Sequence, residues 1–137
     1  MNERYAKARV AAYSGDVDLL SSEIRFVIVD KDLYTPDIDN DEFLADIPSG
    51  AVQSTSDLLT GKSITGVTFG ADPIAFSDNP GSVGSPVSAE LLILIIDTGS
   101  DATSRLIHKF DHGSNLPVTL NGSNITVIFP DGKIFDL

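Results

Sequence analysis

The residues closest to a metal-ligand set in this sequence are three aspartates at alternate positions, Asp37, Asp39 and Asp41. Alternating carboxylates supply the oxygen ligands that a hard cation such as calcium prefers. The rest of a calcium-binding loop is missing, because counting from Asp37 the sixth position is Glu42 rather than glycine and the twelfth is Pro48 rather than glutamate. We interpret the stretch as a solvated or helix-capping loop, with an irregular calcium site as the alternative, and predict no metal.

The two histidines, His108 and His112, are four residues apart, a spacing that on a helix would place both rings on one face. Phe110, Asp111 and Gly113 instead indicate the end of a strand that enters a turn. Because the His-Glu-x-x-His motif is also absent, we do not predict a zinc site.

Sequence motifs of catalysis are missing from the chain. No Gly-x-Ser-x-Gly nucleophile elbow occurs, and residues 60–63 match only the end of a phosphate-binding loop, because Ser56 stands where its first glycine belongs. The absence of cysteine excludes a disulfide framework and a thiolate metal site. The sequence does not exclude a pair of carboxylates for glycoside hydrolysis, because the distance between two carboxylates depends on the fold. We predict a protein that is not an enzyme and has no cofactor.

Charge narrows the partners further. Lys and Arg total 9 against 20 Asp and Glu, a formal net charge of -11. Such a chain repels phosphate backbones and anionic lipid, so neither a nucleic acid nor a membrane is an expected partner. The same charge also favours solubility. No apolar signal segment or window of transmembrane length is present, and we expect folding in a cytoplasm.

An aliphatic run at residues 91–96 is the expected centre of the fold. It is bounded by turn residues and is too short to span a bilayer, which predicts a strand buried on both faces. Residues 24–30 are rich in β-branched and aromatic side chains and predict a second central strand. Residues 104–111 are the expected antiparallel partner of the first run.

The N-terminal residues 2–14 predict a short helix, because they are rich in alanine and Gly15 follows where a left-handed residue ends a helix. A strand is the alternative, since small and charged residues also alternate there. Arg4, Lys7 and Arg9 would form the one basic cluster of the chain. That cluster is interpreted as a solvated face, with docking to an acidic partner as the alternative.

Further strands are predicted at residues 51–54, 64–69 and 72–77, with Leu58 and Leu59 packed beneath a loop. Asn121-Gly122 lies between two β-rich stretches and predicts a tight hairpin, because both residues tolerate positive φ. A last strand follows at residues 133–137. Asp39 or Asn40 would cap one helical turn, and residues 78–86 form a loop.

These elements predict one domain over residues 1–137 that is mainly β. Its expected architecture is an antiparallel β-sandwich or flattened barrel with a short N-terminal helix.

The order of these signals resembles a family of small virion structural proteins of tailed bacteriophages. The stretches that carry the resemblance are the helix centred on Tyr5 and ending at Gly15, residues 24–30 with 34–37, residues 41–47, residues 59–62 with 67–69, residues 97–99 with 104–107, and residues 125–129 with 132–135. The chain departs from the family at residues 72–76 and lacks a tryptophan near its C-terminus, which leaves its place in the virion open.

The resemblance implies assembly rather than catalysis. We expect a capsid decoration or cement protein that binds the major capsid protein or another virion protein, forms a homo-oligomer and is located in the virion after assembly in the host cytoplasm. The alternatives are a tail- or fibre-associated structural protein, or a carbohydrate-binding adhesin that uses loop residues. Those loop residues would be Tyr34, Asp37, Asp39 and Phe43. The candidate partner-binding residues of the leading hypothesis are Arg4, Tyr5, Lys7 and Arg9, and the 78–86 loop with Asp78, Asn79 and Pro80.

Overall fold

The aliphatic run Leu91–Ile96 forms the central strand of a five-stranded antiparallel sheet in the computed structural model, which describes residues 2–113 and 116–137. The fold is mainly β with one short N-terminal α-helix, as predicted. No helix within those ranges is long and apolar enough to cross a membrane.

The elements are β1 Glu3–Arg4, α1 Ala6–Tyr13, β2 Ile24–Val29, β3 Val52–Thr55, β4 Ser63–Thr65, β5 Thr68–Gly70, β6 Ile74–Phe76, β7 Val87–Ala89, β8 Leu91–Ile96, β9 Arg105–Phe110, β10 Val118–Leu120, β11 Ile125–Val127 and β12 Lys133–Asp136. Short 3₁₀ turns lie at Leu44–Asp46, Ser49–Ala51 and Pro130–Gly132.

The large sheet has the strand order β1-β9-β8-β2-β3. Its middle strand, β8, pairs with β2 on one side and with β9 on the other, and residues 91–95 are all buried. Both faces of the strand are therefore covered, as the uninterrupted aliphatic run predicts. The predicted strands at residues 24–30 and 104–111 are confirmed as its two neighbours.

Smaller sheets accompany the large one. The described strands form three of them, β12-β5-β4, β10-β7 and β11-β6, and no closed barrel is found among them. Aromatic rings pack against the large sheet. The ring centroid of Phe135 in β12 lies 4.8 Å from that of His108 in β9, and the centroid of Phe129 lies 5.6 Å from that of Phe26 in β2. Ring contacts of this kind contribute packing area between the sheets.

The hairpin predicted at Asn121-Gly122 is wrong. The two strands that flank this turn do not pair with each other: β10 pairs with β7, and β11 pairs with β6. Gly122 does have a positive φ of 86°. Its N–H donates to the carbonyl of Pro80, however, so the turn packs against the 78–86 loop instead of closing a ribbon.

One further strand prediction and one packing prediction need correction. Residues 64–69 are not one strand but the hairpin of β4 and β5, which turns at Gly66 with a φ of 62°. The two leucines expected beneath a loop also differ, since Leu59 is buried and Leu58 is exposed.

The N-terminal helix begins later than predicted. Glu3 and Arg4 form β1 and pair with β9, and α1 starts only at Ala6. Its end agrees with the prediction: Gly15 has a φ of 84°, and its N–H donates to Ala12 while Asp16 N–H donates to Ala11. That pair of bonds satisfies the last carbonyls of the helix.

The predicted helical turn in the acidic loop is the 3₁₀ turn Leu44–Asp46, but neither Asp39 nor Asn40 caps it. The Asp46 carboxylate reaches back and accepts the N–H groups of Phe43 and Glu42 at 3.0 and 2.8 Å. These bonds to the charged form lower the pKa of Asp46.

Candidate functional site

A groove opens between α1 and β12 at the β1 edge of the large sheet. Its volume is about 430 Å³. It is lined by side chains from β1, α1, β9 and β12 and from the segments that follow α1 and β12: Arg4, Ala8, Arg9, Ala12, Tyr13, Val17, Leu19, Ile107, Phe135 and Leu137. Two of the predicted contact residues, Arg4 and Arg9, therefore lie at one site.

The floor of the groove is apolar and already part of the core. Ala8, Leu19 and Ile107 are buried, whereas Tyr13 on the rim is 95% exposed. Alanines on α1 leave the depth that larger side chains would fill. An exposed tyrosine beside an apolar depression is typical of residues that anchor protein interfaces.

Tyr5, the predicted contact residue between these arginines, is a core residue and not part of the surface. It is fully buried, and its hydroxyl lies 3.0 Å from that of Tyr34. Tyr34 in turn donates to the Asp41 carboxylate at 2.6 Å. Burial raises the pKa of both phenols, so they remain protonated donors. Tyr5 positions the start of the helix.

Lys7 lies on α1 but away from the groove. It is exposed and does not line the cavity. Within residues 2–113 and 116–137, no ion pair involves Arg4, Lys7 or Arg9. The Arg4 guanidinium donates to the main-chain carbonyl of Asp136 at 3.2 Å, which holds it beside the groove without neutralising its charge.

A second depression of about 380 Å³ adjoins the groove through the same two arginines and reaches His108. The His108 ring stacks 4.4 Å from Phe110 and donates from Nδ1 to the Lys109 carbonyl at 2.9 Å. Burial, with the nearby charges of Arg4 and Lys109, lowers the pKa of His108 to about 4. The imidazole is therefore neutral at pH 7. His112 is exposed and bonded to Asp111, so the histidines do not form a shared site.

The 78–86 loop is fastened at its base by Asn79. The Asn79 side chain accepts from the Ser54 hydroxyl at 2.6 Å and donates to the carbonyls of Phe76 and Ser123, both at 2.8 Å. Its hydrogen-bonding groups are thus occupied within the chain. Asn79 is a positioning residue, and of its predicted companions Asp78 is exposed while Pro80 accepts from Gly122.

The tip of this loop projects a single apolar side chain. Ser82 and Ser85 exchange backbone hydrogen bonds of 3.1 Å, and Val83 between them is 85% exposed. At Gly81 the backbone passes so close to the Leu120 carbonyl that a Cβ would collide with it. The clamped base and the exposed tip make residues 82–85 the better contact candidate on this loop, a distinction that the loop residues alone did not indicate.

The acidic loop uses its carboxylates internally. Asp41 accepts from Tyr34 and from the Asp37 N–H, and Asp37 accepts from Asn40. Carboxylate atoms that converge within 4.8 Å belong instead to Asp30, Asp32 and Glu90, as far as residues 2–113 and 116–137 show. Sequence reasoning missed this cluster because Glu90 is distant in the chain.

Two of these carboxylates, those of Asp30 and Glu90, accept hydrogen bonds from the turn that follows β2. Asp30 accepts the Asp32 N–H at 2.9 Å, and Glu90 accepts the Lys31 N–H at 3.2 Å. The cluster therefore stabilises the exit from β2.

The loop aromatics that an adhesin would need are not free. Tyr34 is buried, and the Phe43 ring carries the Arg105 guanidinium 5.0 Å above its centroid. Sugar binding relies on exposed ring faces, so Tyr34 is not available for stacking and one face of the Phe43 ring is covered.

No protein-family model matches the chain, and no curated protein matches it in sequence.

Proposed function

We propose that the protein is a structural protein of a tailed-phage virion, a capsid decoration or cement protein that binds the lattice of the major capsid protein. The observation that carries the proposal is the placement of two contact surfaces at opposite edges of one sheet. The groove is built on β1 and β9, and the loop that bears Val83 is bonded through Asn79 to Ser54 of β3. β1 and β3 are the two edge strands of the five-stranded sheet.

Two surfaces so arranged suit a protein that bridges neighbours. Five strands at about 4.8 Å spacing span roughly 19 Å, so each surface is free to meet a different subunit. A rigid sheet between them transmits force from one subunit to the next, as a cement protein must.

The net charge of -11 supports a location on the outside of the shell. A strongly acidic protein does not compete for packaged DNA, because binding to phosphates requires cations. The resemblance described from the sequence points to the same class of protein.

Cryo-electron microscopy of the intact particle with quantitative mass spectrometry tests the proposal. The expected result is many copies in register with the shell lattice. A few copies at one vertex or along a tube would move the protein to the tail, and its absence from particles would overturn the virion assignment.

Variants sharpen the test. Val83→Asp places a charge on the exposed tip and is expected to lower the copy number per particle. Leu33→Asp, which changes another exposed aliphatic residue outside both surfaces, is the matched control and should leave the copy number unchanged.

A further inference from the structure

We propose that the groove between α1 and β12 binds an extended segment of a partner protein that carries a large apolar side chain flanked by carboxylates. This inference deepens the proposed function, on which it rests for the existence of an assembly partner, by stating the chemistry of the segment that the groove accepts.

The shape and lining of the groove call for an apolar side chain. Its volume of about 430 Å³ exceeds what one leucine or phenylalanine side chain occupies, and its floor is formed by Leu19 and Ile107. Tyr13 and Leu137 expose further apolar surface on the rim. Burial of such surface contributes about 25 cal/mol per Å² of area removed from water, which favours an occupant that covers it.

The two arginines beside the groove favour a partner segment that carries carboxylates. Arg4 and Arg9 line both the groove and the adjoining depression. Neither forms an ion pair with any residue of the described ranges, in a chain whose net charge is -11. Arginine presents a planar fork that suits bidentate binding of a carboxylate.

Two acidic residues lie near the arginines but outside the groove. Glu3 and Asp136 line the adjoining depression and not the groove itself. The Asp136 carboxylate accepts from the Thr68 hydroxyl at 2.6 Å, which directs it towards β5. Two arginines are too few for a nucleic acid, because its binding needs cations along an extended phosphate backbone, and a small anion would leave the apolar floor uncovered.

The test is a fluorescein-labelled peptide with the sequence Asp-Glu-Leu-Phe-Glu-Asp, titrated with the full chain and followed by fluorescence anisotropy. Saturable binding is expected, and a peptide with Ser-Ser in place of Leu-Phe should not bind. Arg9→Glu should raise the Kd about tenfold, because it removes an attraction and adds a repulsion. Ala12→Phe should abolish binding, since it fills the groove from an exposed position.

Lys7→Glu is the matched control. It makes the same change of charge on the same helix, outside the groove, and should leave the Kd within about twofold of the parent value. Thermal unfolding confirms that each variant is folded. Absence of saturable binding to the parent protein, or an equal loss in Lys7→Glu and Arg9→Glu, would overturn the inference.

Failure here is distinguishable from failure of the proposed function. Peptide binding with this pattern by a protein absent from particles would overturn the virion assignment and retain the groove. If many copies lie on the lattice but the protein does not bind the peptide, the virion assignment is retained and the proposed groove ligand is overturned. Sedimentation of the protein alone separates the other occupant: a dimer abolished by Ala12→Phe would replace the partner segment with a second copy of this chain.

Discussion

The hydroxyl oxygens of Tyr5 and Tyr34 lie 3.0 Å apart inside the core. Tyr34 donates to Asp41, so its oxygen is left to accept from Tyr5, and the bonds run in one direction from the start of α1 to the acidic loop. The Ala6 N–H donates to the Ile38 carbonyl at 2.8 Å alongside. The helix that forms one wall of the groove is therefore held by the acidic loop.

Tyr34→Phe should lower the free energy of unfolding by about 2 kcal/mol, because it leaves the Tyr5 hydroxyl without its buried partner and removes the donor to Asp41. Urea unfolding at neutral pH measures the change. Tyr13→Phe deletes an exposed hydroxyl and serves as control. Equal midpoints for the two variants would contradict a structural role for the tyrosine pair.

Acidification should destabilise the fold through His108. Burial lowers its pKa to about 4 in the folded protein, below the ordinary value of 6.5, so the unfolded chain binds the proton first as the pH falls. The contribution of neutral His108 to the free energy of unfolding is fully present above pH 6.5, and it is lost progressively as the pH falls towards 4. The full loss is on the order of 3 kcal/mol.

His108→Phe isolates that effect, because carboxylates also titrate near pH 4. Chemical unfolding should be measured from about pH 7.5 to about pH 4, because this range brackets the ordinary histidine pKa of about 6.5 and the lowered pKa of His108. His108→Phe should lose stability less steeply over this range than the parent protein. His112→Gln changes an exposed ring and should follow the parent curve. Parallel curves for parent and His108→Phe would remove His108 as the cause.

Asn79→Ala should release the 78–86 loop. The substitution deletes a side chain that bonds Ser54, Phe76 and Ser123. We expect a loss of about 2 kcal/mol in stability and faster amide hydrogen exchange in residues 77–86. Asp78→Ala, at the exposed neighbouring position, is the control. Unchanged exchange in Asn79→Ala would show that the loop base is held by other contacts.

Gly122→Ala should destabilise the protein more than Gly15→Ala. Both glycines have positive φ, 86° and 84°, so the conformational cost for alanine is alike. A Cβ at Gly122 would lie 2.8 Å from the Gly81 carbonyl oxygen, whereas one at Gly15 meets nothing within 4 Å. The difference in unfolding free energy between the two variants measures the close approach of the two loops. A difference near zero would argue against that approach.

A strand with a continuous apolar sequence can be predicted from the sequence alone. The pairing of short strands cannot, because it depends on which other strands the fold brings beside them. Residues 91–96 by themselves predict a buried strand, because an aliphatic run bounded by turns must be covered on both faces. Asn121-Gly122 predicts a turn correctly from its conformation, but turn preference does not say which strands pair. The partners β6 and β7 lie on either side of the 78–86 loop, and only the fold brings that loop to Gly122.

The contact residues show the same limit. The charge of Arg4 and Arg9 singles them out in the sequence, and the structure brings them to one groove. Sequence position groups Tyr5 with these arginines, but helix spacing does not reveal that the Tyr5 hydroxyl bonds Tyr34 in the core. The loop composition predicts Asn79 as a contact residue, whereas its amide is bonded within the chain and holds the loop.

The pairing of β1 with β9 also constrains the order of events during synthesis. Glu3 is opposite Lys109, and Thr68 in β5 is opposite Asp136 in β12. The edge of the large sheet is complete only once β9 has been synthesised, and the three-stranded sheet only once β12 has been synthesised. Contacts between residues so far apart slow folding, and unfinished strand edges invite association with other chains. Chaperone dependence during production should therefore be greater than the length of the chain alone suggests.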